Sequence, residues 1–134
     1  MNRGIRVALI DDDASVRRAL IRLLRCAGYE VETYATAADF LGSRATARVD
    51  CALVDVRMPG ETGFTLVKFL RASGIPMPVI LMTGDADVTL TAKAARCGAF
   101  ALLAKPLTDA ALVEAIEVAV VREPPVAAKP PNSR

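Results

Sequence analysis

Three carboxylates in a row, Asp11, Asp12 and Asp13, follow directly on the apolar run Val7 to Ile10, and a fourth, Asp55, ends a second apolar run from Cys51 to Val54. Carboxylates at the ends of buried strands are costly unless something cationic meets them there. In a parallel sheet all strand ends of one kind lie together, so these two runs deliver their acids to one place. Anionic oxygens packed that closely repel one another and raise one another's pKa. A hard divalent cation, Mg²⁺ or Mn²⁺, relieves the repulsion by taking carboxylates, a backbone carbonyl and waters in an octahedron. An acidic triplet by itself is also what caps a helix and suits its positive dipole end.

Two further strand ends carry matching chemistry. Thr83 closes the run VILMT, and Lys105 follows FALLA. A hydroxyl and an ammonium aimed at the same pocket would hold two oxygens of a phosphoryl group while the metal holds the third, which is charge placed in advance where charge develops. Taken singly, such a Thr caps the next helix and such a Lys is a solvated cation. All four ends together point to phosphoryl transfer. A carboxylate acceptor is already ionised at neutral pH and needs no general base. That suits a chain with no His, which can run neither Ser-His nor Cys-His catalysis nor carry phosphohistidine itself. The product would be an acyl phosphate, which is labile and therefore a reversible switch.

The elements that must position these residues are legible as alternating apolar and amphipathic segments. Strands are predicted at Arg6–Ile10, Glu30–Tyr34, Cys51–Val54, Pro78–Met82 and Phe100–Ala104. Helices are predicted near Ser15–Ala27, Thr36–Leu41, Gly63–Ser73, Asp87–Cys97 and Thr108–Val121. The third and fourth strands are continuously apolar, as strands covered on both faces should be. Five βα units imply an α/β fold: a five-stranded parallel sheet, doubly wound and flavodoxin-like with strand order 2-1-3-4-5, helices on both faces and right-handed crossovers. Ligands of such sheets sit beyond the carboxyl ends of the strands at the switch point in strand order. Gly28 and Gly98 read as C-cap glycines, and Pro76 and Pro78 flank the entry to the fourth strand.

The 134 residues make one domain with a real core. A hydrophobic fraction of 53% with 24% charged residues describes a soluble protein, expected in the cytoplasm, with neither leader nor membrane span. A net charge of +2 and an aromatic content of 4% without Trp argue against a nucleic-acid surface. Cys26, Cys51 and Cys97 lack ligand spacing and read as buried thiols in a reducing compartment. Residues 1–121 are expected to form the domain. Residues 122–134 (REPPVAAKPPNSR) are expected to be an extended tail or linker remnant.

The segments IDDDASVRR, LVDVRMPGETG, LMTGDAD and LLAKPL, in this order, resemble the receiver domain of two-component response regulators, and VRMPG, TGDADV and CGA resemble its FixJ-type subgroup. The match spans roughly Arg6 to Val121. The resemblance implies that Asp55 is the phosphoacceptor, taking a phosphoryl group from the phosphohistidine of a sensor histidine kinase or a histidine phosphotransfer protein, without multi-turnover catalysis. It implies Asp12 as a direct metal ligand, Asp11 as a direct or water-mediated one, and Asp55 and the backbone carbonyl of Arg57 as the others. Thr83 and Lys105 would bind phosphoryl oxygens, with the Lys105–Pro106 bond cis. Asp13 falls outside the ligand positions and reads as a helix cap. Met58, Pro59, Gly60 and Gly63 would shape the loop after Asp55, and Gly84 would leave room for the incoming group. Where many receivers carry Tyr or Phe this chain has Leu102, which fills the hole of the gating aromatic without its ring, or is plain packing.

Residues peculiar to this chain carry further expectations. Arg57 and Asp85 lie two positions beyond Asp55 and Thr83 and are expected to pair across the pocket mouth, slowing water; two solvated charges are the alternative. Arg18, Arg22 and Arg25 form a stripe on the first helix that is either a solvated face or a basic docking face for the kinase. On the last helix, apolar residues from Ala111 to Val120 cover well over half the circumference, with Glu114 and Glu117 marking the wet side. That surplus suggests a homodimer or output partner against the fourth helix, fifth strand and fifth helix, or shielding by the tail. Three other readings compete. A pseudo-receiver acting only as a binding module predicts a broken acidic pocket. An aspartyl phosphatase wants a second Asp where Arg57 stands. A flavodoxin relative wants hydroxyls where the chain has carboxylates. No direct contact with nucleic acid or membrane is expected.

Overall fold

Runs of Val, Ile, Leu and Ala with no polar interruption bury their side chains on both faces of a sheet only if helices cover both sides. The computed structural model, which describes residues 4–58, 61–85 and 87–122, shows that arrangement. Five parallel strands run β1 (Arg6–Ile10), β2 (Glu30–Tyr34), β3 (Cys51–Asp55), β4 (Val79–Thr83) and β5 (Ala101–Ala104), in the spatial order β2-β1-β3-β4-β5. A two-residue antiparallel ladder, Arg57–Met58 against Glu61–Thr62, follows β3. The five helices are α1 (Ala14–Cys26), α2 (Ala37–Gly42), α3 (Gly63–Ala72), α4 (Val88–Cys97) and α5 (Asp109–Arg122), with a 3₁₀ turn at Ala45–Ala47 after α2.

The period of two along each strand splits the core into two halves. Val7, Leu9, Cys51, Leu53, Ile80 and Met82 pack with Leu20 and Leu24 of α1 and with Leu112, Ile116 and Ala119 of α5. Ala8, Ile10, Ala52, Val54, Val79 and Leu81 face the other way, against Phe40 of α2, Phe64, Leu66 and Leu70 of α3, and Ala94 and Cys97 of α4. Among the described residues no buried side-chain nitrogen or oxygen lacks a partner.

Helix starts follow the capping residues. The Asp13 carboxylate accepts from the Ser15 and Val16 N–H groups, Thr36 Oγ1 from Asp39, Thr62 Oγ1 from Thr65, and Asp87 from Leu90. Gly98 ends α4 with φ 97°; Gly28 stands one residue beyond the Ala27 cap of α1 with φ 96°.

Several expectations are corrected in detail. The fourth and fifth strands each begin one residue later than expected: Pro78 has no N–H for the ladder, and Phe100, whose N–H donates to the Val79 carbonyl at 2.8 Å, stands just before the first paired residue, Ala101. Cys26 is exposed, on the solvent side of α1, whereas Cys51 and Cys97 are buried as expected. Glu114 is exposed as expected, whereas Glu117 is half-buried and accepts a 2.6 Å hydrogen bond from the buried Tyr29 hydroxyl. Helix α5 continues through Arg122, one residue into the expected tail; the rest of that segment, 123–134, and the loop residues Pro59 and Gly60 lie outside the described residues.

Candidate functional site: an acidic cluster at the strand ends

Strand register brings the acids together. Ile10 pairs with Val54, so Asp11 and Asp55, each the next residue, leave β1 and β3 side by side. Asp55 is level with Met82, Thr83 with Ala104, and Lys105 follows at once. Alternation then sorts the side chains. Asp11, Asp55 and Lys105 continue the parity of Leu9, Leu53 and Leu103, which face α1 and α5; Thr83 continues that of Leu81, toward α3 and α4.

The result is a knot in which one ammonium meets two carboxylates, leaving the cluster net negative. Lys105 Nζ lies 3.2 Å from Asp11 Oδ2 and 3.2 Å from Asp55 Oδ2. Asp11 is fully buried and Asp55 nearly so, while Asp12 stands exposed at the rim. Burial pushes the Asp11 carboxyl above its ordinary range and the neighbouring Asp55 charge adds to that, outweighing the Asp13 N–H and Lys105, which favour the charged form. Lys105 loses hydration on burial, yet the two carboxylates hold its ammonium above the usual lysine value.

Loop backbone locks these groups in place. Asp11 Oδ1 accepts from the Asp13 N–H at 2.9 Å, Asp55 Oδ1 from the Arg57 N–H at 3.1 Å, and Thr83 Oγ1 from the Asp85 N–H at 3.1 Å. Thr83 is therefore buried and turned to the loop after β4; the cap of α4 is Asp87. The Lys105–Pro106 peptide is cis. A Cβ at Gly84 would meet no heavy atom within 4 Å, so the space there is open. At Gly63 it would lie 2.8 Å from the Asp55 carbonyl oxygen, so only glycine lets α3 start this close to β3.

Asp11, Asp12 and Asp55 each offer a carboxylate oxygen, all within 4.8 Å of one another. An all-oxygen donor set with one rim carboxylate open to solvent fits a hard divalent cation that keeps several waters. Arg57 and Asp85 do meet across the mouth: Arg57 Nη2 is 3.2 Å from Asp85 Oδ2, with both side chains about three-quarters exposed, at 76% and 77%. Leu102 is half-buried against the α3–α4 side of the core. Arg18, Arg22 and Arg25 are exposed on α1. Beside Lys105, an apolar cleft of about 410 Å³ is lined by Val16, Ala19, Leu20, Leu23, Pro106 and Leu107.

Sequence reasoning missed one contact at the site itself. Arg17 Nη1 donates to the Asp11 carbonyl oxygen at 2.6 Å. A cation one turn into a helix, where the dipole disfavours it, was the available signal.

Residues 7–117 match the family model described as the response regulator receiver domain. The chain belongs to that family. Among curated receiver-containing relatives, it is 41% identical over 122 residues to the transcriptional regulatory protein FixJ of Azorhizobium caulinodans, covering 91% of this chain and 58% of that protein. It is 39% identical over 121 residues to FixJ of Bradyrhizobium diazoefficiens, covering 90% and 59%. The chain thus spans well under two thirds of the length of these relatives. The crystal structure of FixJ-N superposes with a TM-score of 0.80 at 32% identity, over 87% of this chain and 94% of that one. The response regulator StyR gives 0.81 at 39% identity, over 89% and 60%. This receiver is of the FixJ type. Among its described residues no helix is long and apolar enough to cross a membrane.

Proposed function

We propose that this receiver is a phosphoacceptor: Asp55 takes a phosphoryl group from the phosphohistidine of a sensor histidine kinase or histidine phosphotransfer protein, and the change is relayed as a signal. The observation that carries the reading is the single ammonium of Lys105 held 3.2 Å from both Asp11 and Asp55, with Asp12 in reach of the same point. A phosphorylation-independent binding module has no use for that constellation.

The Asp55 carboxylate oxygen attacks phosphorus, a P–O bond forms, the P–N bond to the donor imidazole breaks, and the freed imidazole nitrogen takes its proton from solvent. Asp11, Asp12, Asp55 and the Arg57 carbonyl would hold Mg²⁺ or Mn²⁺, which when bound neutralises the charge between acceptor and incoming phosphoryl group. Lys105 leaves its carboxylate partners to bind a phosphoryl oxygen, and Thr83 releases the Asp85 N–H to bind another. Leu102, on the same parity as Thr83, fills the space that opens or closes as Thr83 moves. The Arg57–Asp85 pair limits the approach of hydrolytic water.

Exposed Val88 on α4 and Val118 and Val121 on α5 support a homodimer through α4, β5 and α5 in the phosphorylated state. Sedimentation with and without beryllofluoride tests it, and a monomer in both states rules it out. The main reading is tested by intact-mass analysis after acetyl phosphate and Mg²⁺. One added phosphoryl group, absent in Asp55→Ala and in EDTA, is expected. An unlabelled wild type refutes it.

A further inference from the structure

The loop from β1 to α1 must hold two carboxylates in a fixed relation to Asp55 on the next strand, and its backbone is tied down at three points. The Asp11 N–H donates to the Tyr34 carbonyl at 3.1 Å, and the Asp13 N–H donates to Asp11 Oδ1 at 2.9 Å. The third tie is the Arg17 guanidinium, whose Nη1 donates to the Asp11 carbonyl oxygen at 2.6 Å. Arg17 is half-buried, and its side chain runs back toward the helix start, as helical side chains do. A cation at that end of a helix is disfavoured by the dipole. Helix stability therefore does not explain it.

We propose that Arg17 is a positioning residue for the acidic site: by gripping the Asp11 carbonyl it fixes the peptide between Asp11 and Asp12, and with it the way both carboxylates meet Asp55. The inference rests on the reading of this cluster as a divalent-cation site. Two effects of Arg17 oppose each other. Its positive charge repels an incoming dication, so loss of charge alone would tighten metal binding. Its grip preorganises the ligands, so loss of the grip weakens binding. Outer-shell partners of metal ligands are commonly worth about 10–100-fold in affinity, whereas a partly solvated charge is screened. The grip dominates, and the sign of the change separates the two.

The test is a Mn²⁺ titration of the full chain, read by the electron paramagnetic resonance of free Mn²⁺, for wild type, Arg17→Met, Arg17→Lys and Arg18→Met. Arg17→Met keeps the aliphatic stem and removes the head, so lost packing is not confused with the lost bond. Arg18, whose Nη2 lies 3.3 Å from Ser15 Oγ, is the control for charge on the same helix. Arg17→Met is expected to weaken Mn²⁺ binding about tenfold or more. Arg17→Lys should recover part of it, and Arg18→Met should match wild type. The Mg²⁺ level giving half-maximal labelling by acetyl phosphate rises by the same factor, while labelling at saturating Mg²⁺ is retained. Thermal unfolding in EDTA checks that the variants fold; should Arg17→Met be unfolded, Arg17→Gln, too short to reach, gives the same comparison. Unchanged or tighter Mn²⁺ binding without Arg17, or equal weakening in Arg18→Met, overturns the proposal. A wild type that takes up no Mn²⁺ overturns the site reading itself and this inference with it.

Discussion

Replacing Lys105 with Met removes the one ammonium shared by Asp11 and Asp55 and keeps most of the side-chain volume. Each N–O contact is 3.2 Å, and at an effective dielectric of about 20 a unit pair at that distance attracts by about 5 kcal/mol. Desolvation of the three groups takes back much of this attraction. Removing one member of a buried pair typically costs about 3–5 kcal/mol, because the remaining charge stays buried. The lower end applies here, since the Asp11 carboxyl, already raised toward protonation, can take a proton instead of staying charged. A loss of about 3 kcal/mol in EDTA corresponds to a fall of roughly 10 °C in Tm for a domain of this size. Mg²⁺ binds the folded chain and neutralises the same carboxylates, so it should stabilise the variant more than wild type, and bind it more tightly. Thermal unfolding in EDTA and across a Mg²⁺ series reads both quantities, and acetyl phosphate labelling should be lost throughout. If the variant unfolds with wild type in EDTA, or gains no more from Mg²⁺ than wild type does, the acids do not share one field and the proposed site is wrong.

Three other perturbations probe the surroundings. Arg57→Ala should speed loss of the phosphoryl group from Asp55 and leave the unfolding midpoint unchanged, because an exposed pair adds little stability; an unchanged lifetime, followed by Phos-tag gels, removes the water-gating idea. Gly63→Ala places a methyl 2.8 Å from the Asp55 carbonyl oxygen and 2.9 Å from Leu81 Cδ2, and overpacking of this kind costs about 1–3 kcal/mol by urea unfolding. Glu32 is pushed up by burial but held below its ordinary 4.5 by hydrogen bonds from Arg48 and Tyr34. A depressed carboxyl contributes stability above pH 4.5 that is lost as pH falls through its folded value, so Glu32→Gln should lower the midpoint modestly at neutral pH and flatten the acid limb below pH 4.5.

Much of this architecture was legible because it follows from period and register. Continuous apolar runs could be strands only if covered twice, and a doubly covered parallel sheet leaves few places for Asp11 and Asp55 to go. Asp13 as a cap and the Arg57–Asp85 pair were legible too, the first from its position before α1 and the second from equal offsets after two neighbouring strands. What sequence could not show were contacts that depend on side-chain reach. Glu117 sits at a helical position that looked solvated, yet Tyr29, 88 residues away in the chain, covers it. Arg17 looked like one more arginine on a basic helix, and only its backward lean places it on the Asp11 carbonyl. Cys26 shows the converse: cysteine's preference for burial is a tendency of the residue type, and the helix face on which it falls decides otherwise.

Strand parity also bears on how a signal would leave this site. Asp11, Asp55 and Lys105 lie on the side of the sheet covered by α1 and α5, while Thr83 and Leu102 belong to the side covered by α3 and α4. A phosphoryl group on Asp55 that recruits both Lys105 and Thr83 would therefore be gripped from both faces at once. The Lys105 side is already tied by two ion pairs at 3.2 Å. The Thr83 side is held by one neutral hydrogen bond from Asp85, an interaction worth only about 1 kcal/mol. Of the two, the neutral contact yields first. Movement should begin at Thr83 and the loop after β4, and reach α4 and the half-buried Leu102 before anything on the α1–α5 face. Leu102 has no ring to swing, so on the proposed reading the shift would be carried by repacking along α4, where Val88 stands 85% exposed at the first turn.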